Sequence, residues 1–557
     1  MASPDTDRRT FVLSVAAAAL AASPARALAG APWVRRRPSH DLVIRGGTVF
    51  DGTGTAGFEA DVAIAGDRIV AVARRVAGTG AEEIAAKGLA VAPGFVDIHS
   101  HGDGSMDDDP RQESVVRQGV TTIIVGQDGG SRAPRALSQA DADQGEGAAS
   151  TFEAVFQAID RLAPSVNVAS MVGLGSVRAA VVGEEDRPAT SAELARMVAL
   201  VETALVQGAC GASSGLEYTP GAFASTEELI ALCRPLRRRR LPYATHMRNE
   251  DDRVLESIDE SIAVARGTRC ALQISHLKMQ GPRNWNKLDQ AFARIARARK
   301  GGLDVAFDRY PYTAYQTGLT NLFPTWSRDG GAAAFLARLD SAEAAPRIRT
   351  YTLDKVELIG GWDNVQITSV RAEEDRTAEG HRLGAYAASL GRDPYEVAVA
   401  LLKRSNGAVG MVGFAMSEDN LDRLYAHAQG MVCSDGGAFA VDGPTHRGSP
   451  HPRGAGSFPR VVARYVRERK AITLAQAIHK MTGLPASRVR LRDRGRIARG
   501  TAADVVVFDA ATIADTATYQ NPFSYPVGIT AAVVNGTIAV REGARGDRRT
   551  GRALRPA

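Results

Sequence analysis

An α/β chain with a (β/α)8, TIM-like barrel at its centre and a small β-sandwich unit made from its two ends is predicted by three observations. Eight short strand-like runs alternate with helical stretches through the middle of the sequence. Glycine-punctuated β runs occupy both flanks, and two β-rich ends can pair into one unit around an intervening domain. Four of the ten histidines fall directly after barrel runs, where a parallel barrel carries its chemistry.

Taken in order, residues 1–30 stand outside the fold. The pair Arg8-Arg9 precedes an apolar stretch at 12–22, and Ala27-Leu28-Ala29 offers small residues for cleavage. The stretch is too short to span a bilayer. It reads as a Tat-type export signal and predicts a periplasmic location. No other segment reads as membrane-spanning. Residues 40–92 carry runs such as Leu42-Val43-Ile44 and Asp61-Val62-Ala63-Ile64, broken at Gly46-Gly47, Asp51-Gly52 and Gly66-Asp67, and form the first part of the β unit. The same pattern returns in 489–557 with Val505-Val506-Val507-Phe508 and Ala532-Val533-Val534.

Between them, 93–488 holds the barrel. Its strands are expected at 95–98, 120–125, 168–172, 211–214, 243–245, 272–275, 303–307 and 431–434. Helices are expected at 151–162, 191–207, 226–238, 251–266 and 287–298. The gap between the seventh and eighth strands is too long for one helix, so an insertion is expected at about 315–428.

Composition limits the function classes. The chain is 44% hydrophobic and 23% charged, with a net charge of +6. Its densest basic run, Arg234 with Arg237–Arg240, reads as a solvated helix end rather than a nucleic-acid surface. The four cysteines form no C-x-x-C pair and read as buried thiols.

The strand ends carry the chemistry. Gly94–His101 reads G-F-V-D-I-H-S-H. Residues i and i+2 of a strand share a face, so His99 and His101 are expected to aim at one point, a metal-ligand geometry. Asp128 follows the second strand in G-Q-D-G, His246 the fifth, His276 the sixth, and Asp435 the eighth in S-D-G-G. A lone histidine after a strand is commonly a structural hydrogen-bonder. Four of them on barrel mouths are better explained by metal. Beside Asp128, Gln127 is an alternative polar contact, with Asp128 turned away.

This pattern resembles the amidohydrolase superfamily and, within it, the D-aminoacylase (N-acyl-D-amino-acid deacylase) family. Matching stretches are P-G-F-V-D-I-H-S-H (93–101), Q-G-V-T-T-I-I-V-G (118–126), S-S-G-L-E-Y-T-P-G (213–221), Y-A-T-H-M-R (243–248), I-S-H-L-K (274–278), Y-P-Y-T-A (310–314) and H-P-R-G-A-G-S-F-P-R (451–460). The resemblance spans about 41–545. It implies a zinc-dependent site, with one or two ions, held by His99, His101, Asp128, His246 and His276. It also implies Asp435 as the group that takes a proton from the attacking water and passes it to the leaving nitrogen. Lys278 is expected to hold the substrate α-carboxylate. Tyr310, Tyr312, Arg309 and His451 are expected around the substrate, although Arg309 also fits a structural salt bridge. The expected substrate is an N-acyl-D-amino acid.

One departure stands out. The family usually has cysteine where this chain has Asp128. Carboxylate is a harder ligand than thiolate, so it admits manganese or a second divalent ion more readily and leaves the ion count open. Other C–N hydrolases on the same scaffold, such as dipeptidases, cyclic amidases or lactamases, are the nearest rival reading. Those relatives often bridge two metals with a carboxylated lysine, and no strand-end lysine is placed for that here. An exported, non-catalytic binding protein is the third reading.

Overall fold

The computed structural model describes residues 38–135 and 151–557. The export signal expected at 1–30 lies outside the described residues. Barrel strands run Phe95–Asp97, Val120–Val125, Asn167–Ser170 with Val172–Gly173, Ala212–Gly215, Pro242–His246, Ala271–Ile274, Val305–Arg309 and Gly430–Val432. Neighbours pair in parallel, in sequence order, across two hydrogen-bonded arcs. The third strand is interrupted at Met171, which divides the arcs. On the other side, the last strand returns to the first: Asp435 N–H donates to the His99 carbonyl (2.8 Å) and His101 N–H to that of Gly436 (2.9 Å).

The barrel strands are buried on both faces, which is why Val120–Val125 reads V-T-T-I-I-V without polar alternation. Helices lie between strands, and several start where a side-chain oxygen satisfies a free backbone N–H. Thr151 caps Phe152–Leu162 and Ser225 caps Thr226–Arg239. Thr190 and Glu193 form a reciprocal capping box at the start of Ser191–Val206. The arginines 234 and 237–240 are exposed at a helix C-terminal end, where the helix dipole favours cations. All four cysteines are buried and free.

The insertion is a layer of its own. Strands Ala314–Gly318, Val365–Val370 and Val409–Phe414 form an antiparallel sheet. Helices Ala344–Leu358 and Pro394–Arg404 pack on it through an apolar cluster that includes Phe323, Phe335, Ile348 and Leu402 and continues into the barrel at Val96, Ile124 and Ala244.

Both chain ends meet in one unit, as expected, and its nine strands are joined by one continuous hydrogen-bonded path. Ala90–Pro93 is its seam: it pairs in parallel with His40–Val49 and antiparallel with Val505–Phe508. Alternation assigns the two faces. Val505 and Val507 join Leu42, Ile44, Val62 and Val533 in an apolar layer internal to this unit. Val506, Phe508, Ala532 and Val534 turn the other way into the barrel core. There Phe95 stacks on Phe458 (5.6 Å between ring centres), with Phe508 at 6.0 Å. A buried polar tie sits beside this junction. The Asp504 carboxylate takes hydrogen bonds from Arg494, from Asn167 Nδ2 (3.2 Å) and from the Asn535 N–H (2.7 Å). Its backbone carbonyl takes the N–H of Gly94, so the sheet is locked to the start of the first barrel strand.

Candidate active site

A cavity of about 660 Å³ opens at the C-terminal ends of the barrel strands. His101, Asp128, His246, His276, Lys278, Tyr310 and Asp435 line it. His99 lies at its base, fully buried. Strand alternation does not bring His99 and His101 together, because the first strand stops at Asp97. The bend beyond it does. The Asp97 carboxylate accepts the N–H groups of His99 (3.3 Å) and Ser434 (2.9 Å), and Ser100 N–H reaches the Ile124 carbonyl (3.1 Å). One buried acid thus aligns the first and eighth strand ends.

Three site residues occupy the left-handed backbone region: Asp128 at φ +51°, His276 at +35° and Asp435 at +51°. Aspartate tolerates that region, whereas histidine there needs support. His276 N–H donates to Asp308 Oδ1 (2.8 Å), which fixes the turn. Gln127 Nε2 donates to the carbonyls of Ile98 (3.0 Å) and Ile124 (3.3 Å), so its amide is a tether and Asp128 faces the histidines.

The side chains converge in two groups that share one member. His99, His101, Asp128 and Asp435 present ligand atoms within 4.8 Å of one another, and so do Asp128, His246 and His276. Asp128 stands between them. Its Oδ1 lies 3.4 Å from His99 Nε2, and its Oδ2 lies 3.5 Å from His101 Nε2 and 3.4 Å from His276 Nε2. Asp435 Oδ1 is 3.4 Å from His99 Nε2 and 3.1 Å from His101 Nε2.

The donor set fits a divalent cation. Both ring nitrogens of His99 and Oδ1 of Asp128 are buried without a hydrogen-bond partner, a state that native structures rarely tolerate in purely structural groups. The electrostatics agree. Burial alone would raise the Asp128 carboxyl, but His99 and His276 beside it hold it well below the usual range. Burial works to lower the His99 imidazole, and Asp128 and Asp435 more than offset it, so the net shift is upward. For His101 the same opposition ends at about 9. Oxygen and imidazole donors of this kind suit zinc, manganese and similar ions.

Behind the ligands stand buried carboxylates that the sequence reading did not single out. Asp308 Oδ1 lies 3.6 Å from His99 Nδ1, Glu250 Oε1 3.1 Å from His276 Nδ1, and Glu217 Oε2 3.4 Å from His246 Nε2. Glu217 sits in the quoted motif S-S-G-L-E-Y and Glu250 two residues after Y-A-T-H-M-R, and a search for acids near each histidine would have found them. Arg453, of the H-P-R motif, was also passed over. Its Nη1 lies 2.6 Å from Asp435 Oδ2. Burial would raise the Asp435 carboxyl; Arg453 first, then His276 and His99, keep it far below the usual range, so it is fully ionised at neutral pH.

The family model for the amidohydrolase family matches residues 82–540. The chain belongs to the amidohydrolase family. An N-acyl-D-glutamate deacylase of Alcaligenes xylosoxydans xylosoxydans is 38% identical over 92% of this chain and 96% of its own length. A D-aminoacylase of the same organism is 35% identical over 92% and 97%. A crystal structure of N-acyl-D-glutamate deacylase from Bordetella bronchiseptica, complexed with zinc and a phosphonate mimic of the tetrahedral intermediate, superposes with a TM-score of 0.78. It is 35% identical and covers 93% of this chain and 99% of that one.

Within this amidohydrolase cavity, three residues expected around the substrate stand behind the wall instead. Arg309 is buried; its Nη2 donates to the Tyr312 carbonyl (2.8 Å), and its guanidinium lies 3.9 Å from the Tyr310 ring centre. It braces Tyr310 from behind and holds backbone, not a carboxylate. Tyr312 turns towards the C-terminal segment, donating to Asp515 (3.4 Å) with Arg460 over its ring. His451 Nε2–H donates to the Ala314 carbonyl (3.0 Å), and its Nδ1 accepts the Arg453 N–H (3.0 Å). It sets the turn that delivers Arg453. For Arg309 the reason is its place next to Tyr310, which lines the cavity while its neighbour points away. Lys278 and Tyr310 do face the cavity, and the Tyr310 hydroxyl has no hydrogen-bond partner. The insertion completes the wall with Tyr315, Gln316, Thr317 and Asn321.

Proposed function

We propose that the chain is a metal-dependent hydrolase of N-acyl-D-amino acids, releasing a carboxylic acid and a D-amino acid. One observation carries this reading: three carboxylate-binding groups, Lys278, Tyr310 and Arg453, face one cavity beside the double ligand cluster. An N-acyl amino acid has the matching pair of features, an α-carboxylate and an amide two bonds away. The relatives described above support the same chemistry.

Zinc is the ion best suited to the site, with manganese the next. The residues that would hold it are His99, His101, Asp128, His246 and His276. A divalent ion there supplies Lewis acidity to the amide carbonyl and makes hydroxide accessible near neutral pH. The protein's own groups do the rest. Lys278, Tyr310 and Arg453 grip the α-carboxylate and fix the amide against the ligand cluster. Asp435 accepts a proton from water as its oxygen bonds to the acyl carbon. It then passes that proton to the nitrogen as the C–N bond breaks. Arg453 holds one oxygen of Asp435 and leaves the other turned to the reacting side.

A panel of N-acetyl D- and L-amino acids tests the reading. Turnover confined to the D series is expected, and turnover of cyclic amides alone would replace it with the rival hydrolase class. Lys278→Ala should raise KM for the carboxylate substrates by about 1.5–3 kcal/mol, the worth of one charged hydrogen bond. Substrates with the carboxylate replaced by carboxamide should be little affected. Equal losses on both would remove Lys278 from this role.

We also read residues 1–30 as directing export of the folded protein by the twin-arginine route to the periplasm, on the strength of Arg8-Arg9 and the short apolar run. Replacing both arginines by lysine should leave the precursor in the cytoplasm; undiminished export would refute this.

A further inference from the structure

We propose that Glu250 is a positioning residue that joins the substrate anchor to the buried metal ligands, so that both are held by one carboxylate. The substrate half rests on the role of Lys278 given above; the metal half does not.

Glu250 follows the fifth strand and is 2% exposed. Its Oε1 lies 3.1 Å from His276 Nδ1, and its Oε2 lies 3.7 Å from His246 Nε2 and 2.5 Å from Lys278 Nζ. Its own carbonyl takes the N–H of Gln280, which ties the loops after the fifth and sixth strands together (2.8 Å). His246 Nδ1 and His276 Nε2 are 3.0 Å apart and both face Asp128. These are the nitrogens offered to a cation. Each neutral imidazole must then carry its proton on the other nitrogen, and a buried N–H needs an acceptor. Glu250 lies beside the one on His276, and Glu217, with Oε2 3.4 Å from His246 Nε2, takes the one on His246 with Glu250 next to it at 3.7 Å.

This resolves a competition around His276. Lys278 Nζ lies 2.7 Å from His276 Nδ1, as well as beside Glu250. A protonated Nδ1 cannot accept from an ammonium. Glu250 Oε1, buried without a hydrogen-bond partner and 3.1 Å from His276 Nδ1, is the acceptor open to that proton, while Lys278 keeps Oε2 as its fixed partner. Lys278 also lines the cavity.

Glu217, His246 and Glu250 also offer three atoms close enough to surround a cation. That use would take His246 through Nε2 while Nδ1 serves the group around Asp128, and one imidazole would have to give up both ring protons. Support from behind the ligands is the arrangement the proton inventory allows.

Competition of the purified holoenzyme with a graded zinc chelator tests this without turnover. Glu250→Gln should weaken zinc retention about 10–100-fold, as loss of such outer partners does. The same variant should raise KM for an N-acyl-D-amino acid but not for its carboxamide. Lys278→Met, which leaves Glu250 on the histidines, should raise KM with zinc affinity unchanged. Glu250→Asp, with its carboxylate drawn back, gives the same readout if the glutamine variant is insoluble. Wild-type zinc affinity in either soluble Glu250 variant overturns the proposal. So does clean loss of one ion per chain with the other held as before, since that makes Glu250 a ligand. If the wild-type enzyme turns over no N-acyl-D-amino acid, the substrate reading fails, and the chelator competition still decides the metal half.

Discussion

Asp435→Asn is expected to lower kcat by about 10²–10⁴-fold, the usual contribution of a general acid–base group, with KM little changed. The amide keeps the size of the side chain and one oxygen, which can still accept from Arg453. What it loses is the capacity to take a proton and return it. Zinc should remain, because His99, His101, Asp128, His246 and His276 all survive the change. Asp435 nevertheless stands within ligand distance in the first group, with Oδ1 3.1 Å from His101 Nε2. Elemental analysis of the variant therefore separates its two roles. Metal retained with turnover lost makes Asp435 the proton carrier. Metal lost with turnover makes it chiefly a ligand, and near-normal turnover rules out both.

Asp128→Ala should have the other large effect, removing zinc and activity together. Asp128 alone belongs to both ligand groups. Without it the deeper group falls to His246 and His276, short of the three protein ligands that catalytic zinc sites use. The group at the first strand keeps His99, His101 and Asp435 but loses the carboxylate shared across the two. A drop in activity of at least about 10²-fold is expected, comparable to losing the hydroxide-generating function itself. Restoring a softer donor should discriminate further: Asp128→Cys should retain zinc and lose manganese activation, since thiolate selects the softer ion. An alanine variant that keeps two ions per chain and wild-type turnover would mean that Asp128 is no ligand and the cluster is held otherwise.

The sequence made the barrel legible because five of its eight strands lead into the residue types a catalytic mouth uses. Val120–Val125 was readable to the residue from its unbroken apolar run, and the fifth and eighth strands from the histidine and aspartate at their ends. The single sheet was less legible. Alternation in Val505–Phe508 reveals two apolar faces but not that one of them seals the barrel floor. At the site, motif residues were found and their supports were not. Asp308 was overlooked beside Arg309, yet Asp308 holds His276 while Arg309 braces Tyr310. Neighbours in a chain point oppositely, and only the three-dimensional position decides which of the two faces the chemistry. His99 and His101 were paired for a reason that does not apply, since the bend held by Asp97, not strand alternation, brings them together.

The seam in the nine-stranded sheet sets an order of assembly. Ala92 pairs with Val506, a partner that leaves the ribosome 506 − 92 = 414 residues later. At ~5–20 residues per second that is a wait of roughly 20–80 s. Throughout it, Phe95 and the first barrel strand lack the layer formed by Val506, Phe508 and Val534. The barrel floor therefore closes only once the chain has been made past residue 505, and until then the nascent chain must keep a row of unpaired strand edge and apolar surface from neighbouring chains.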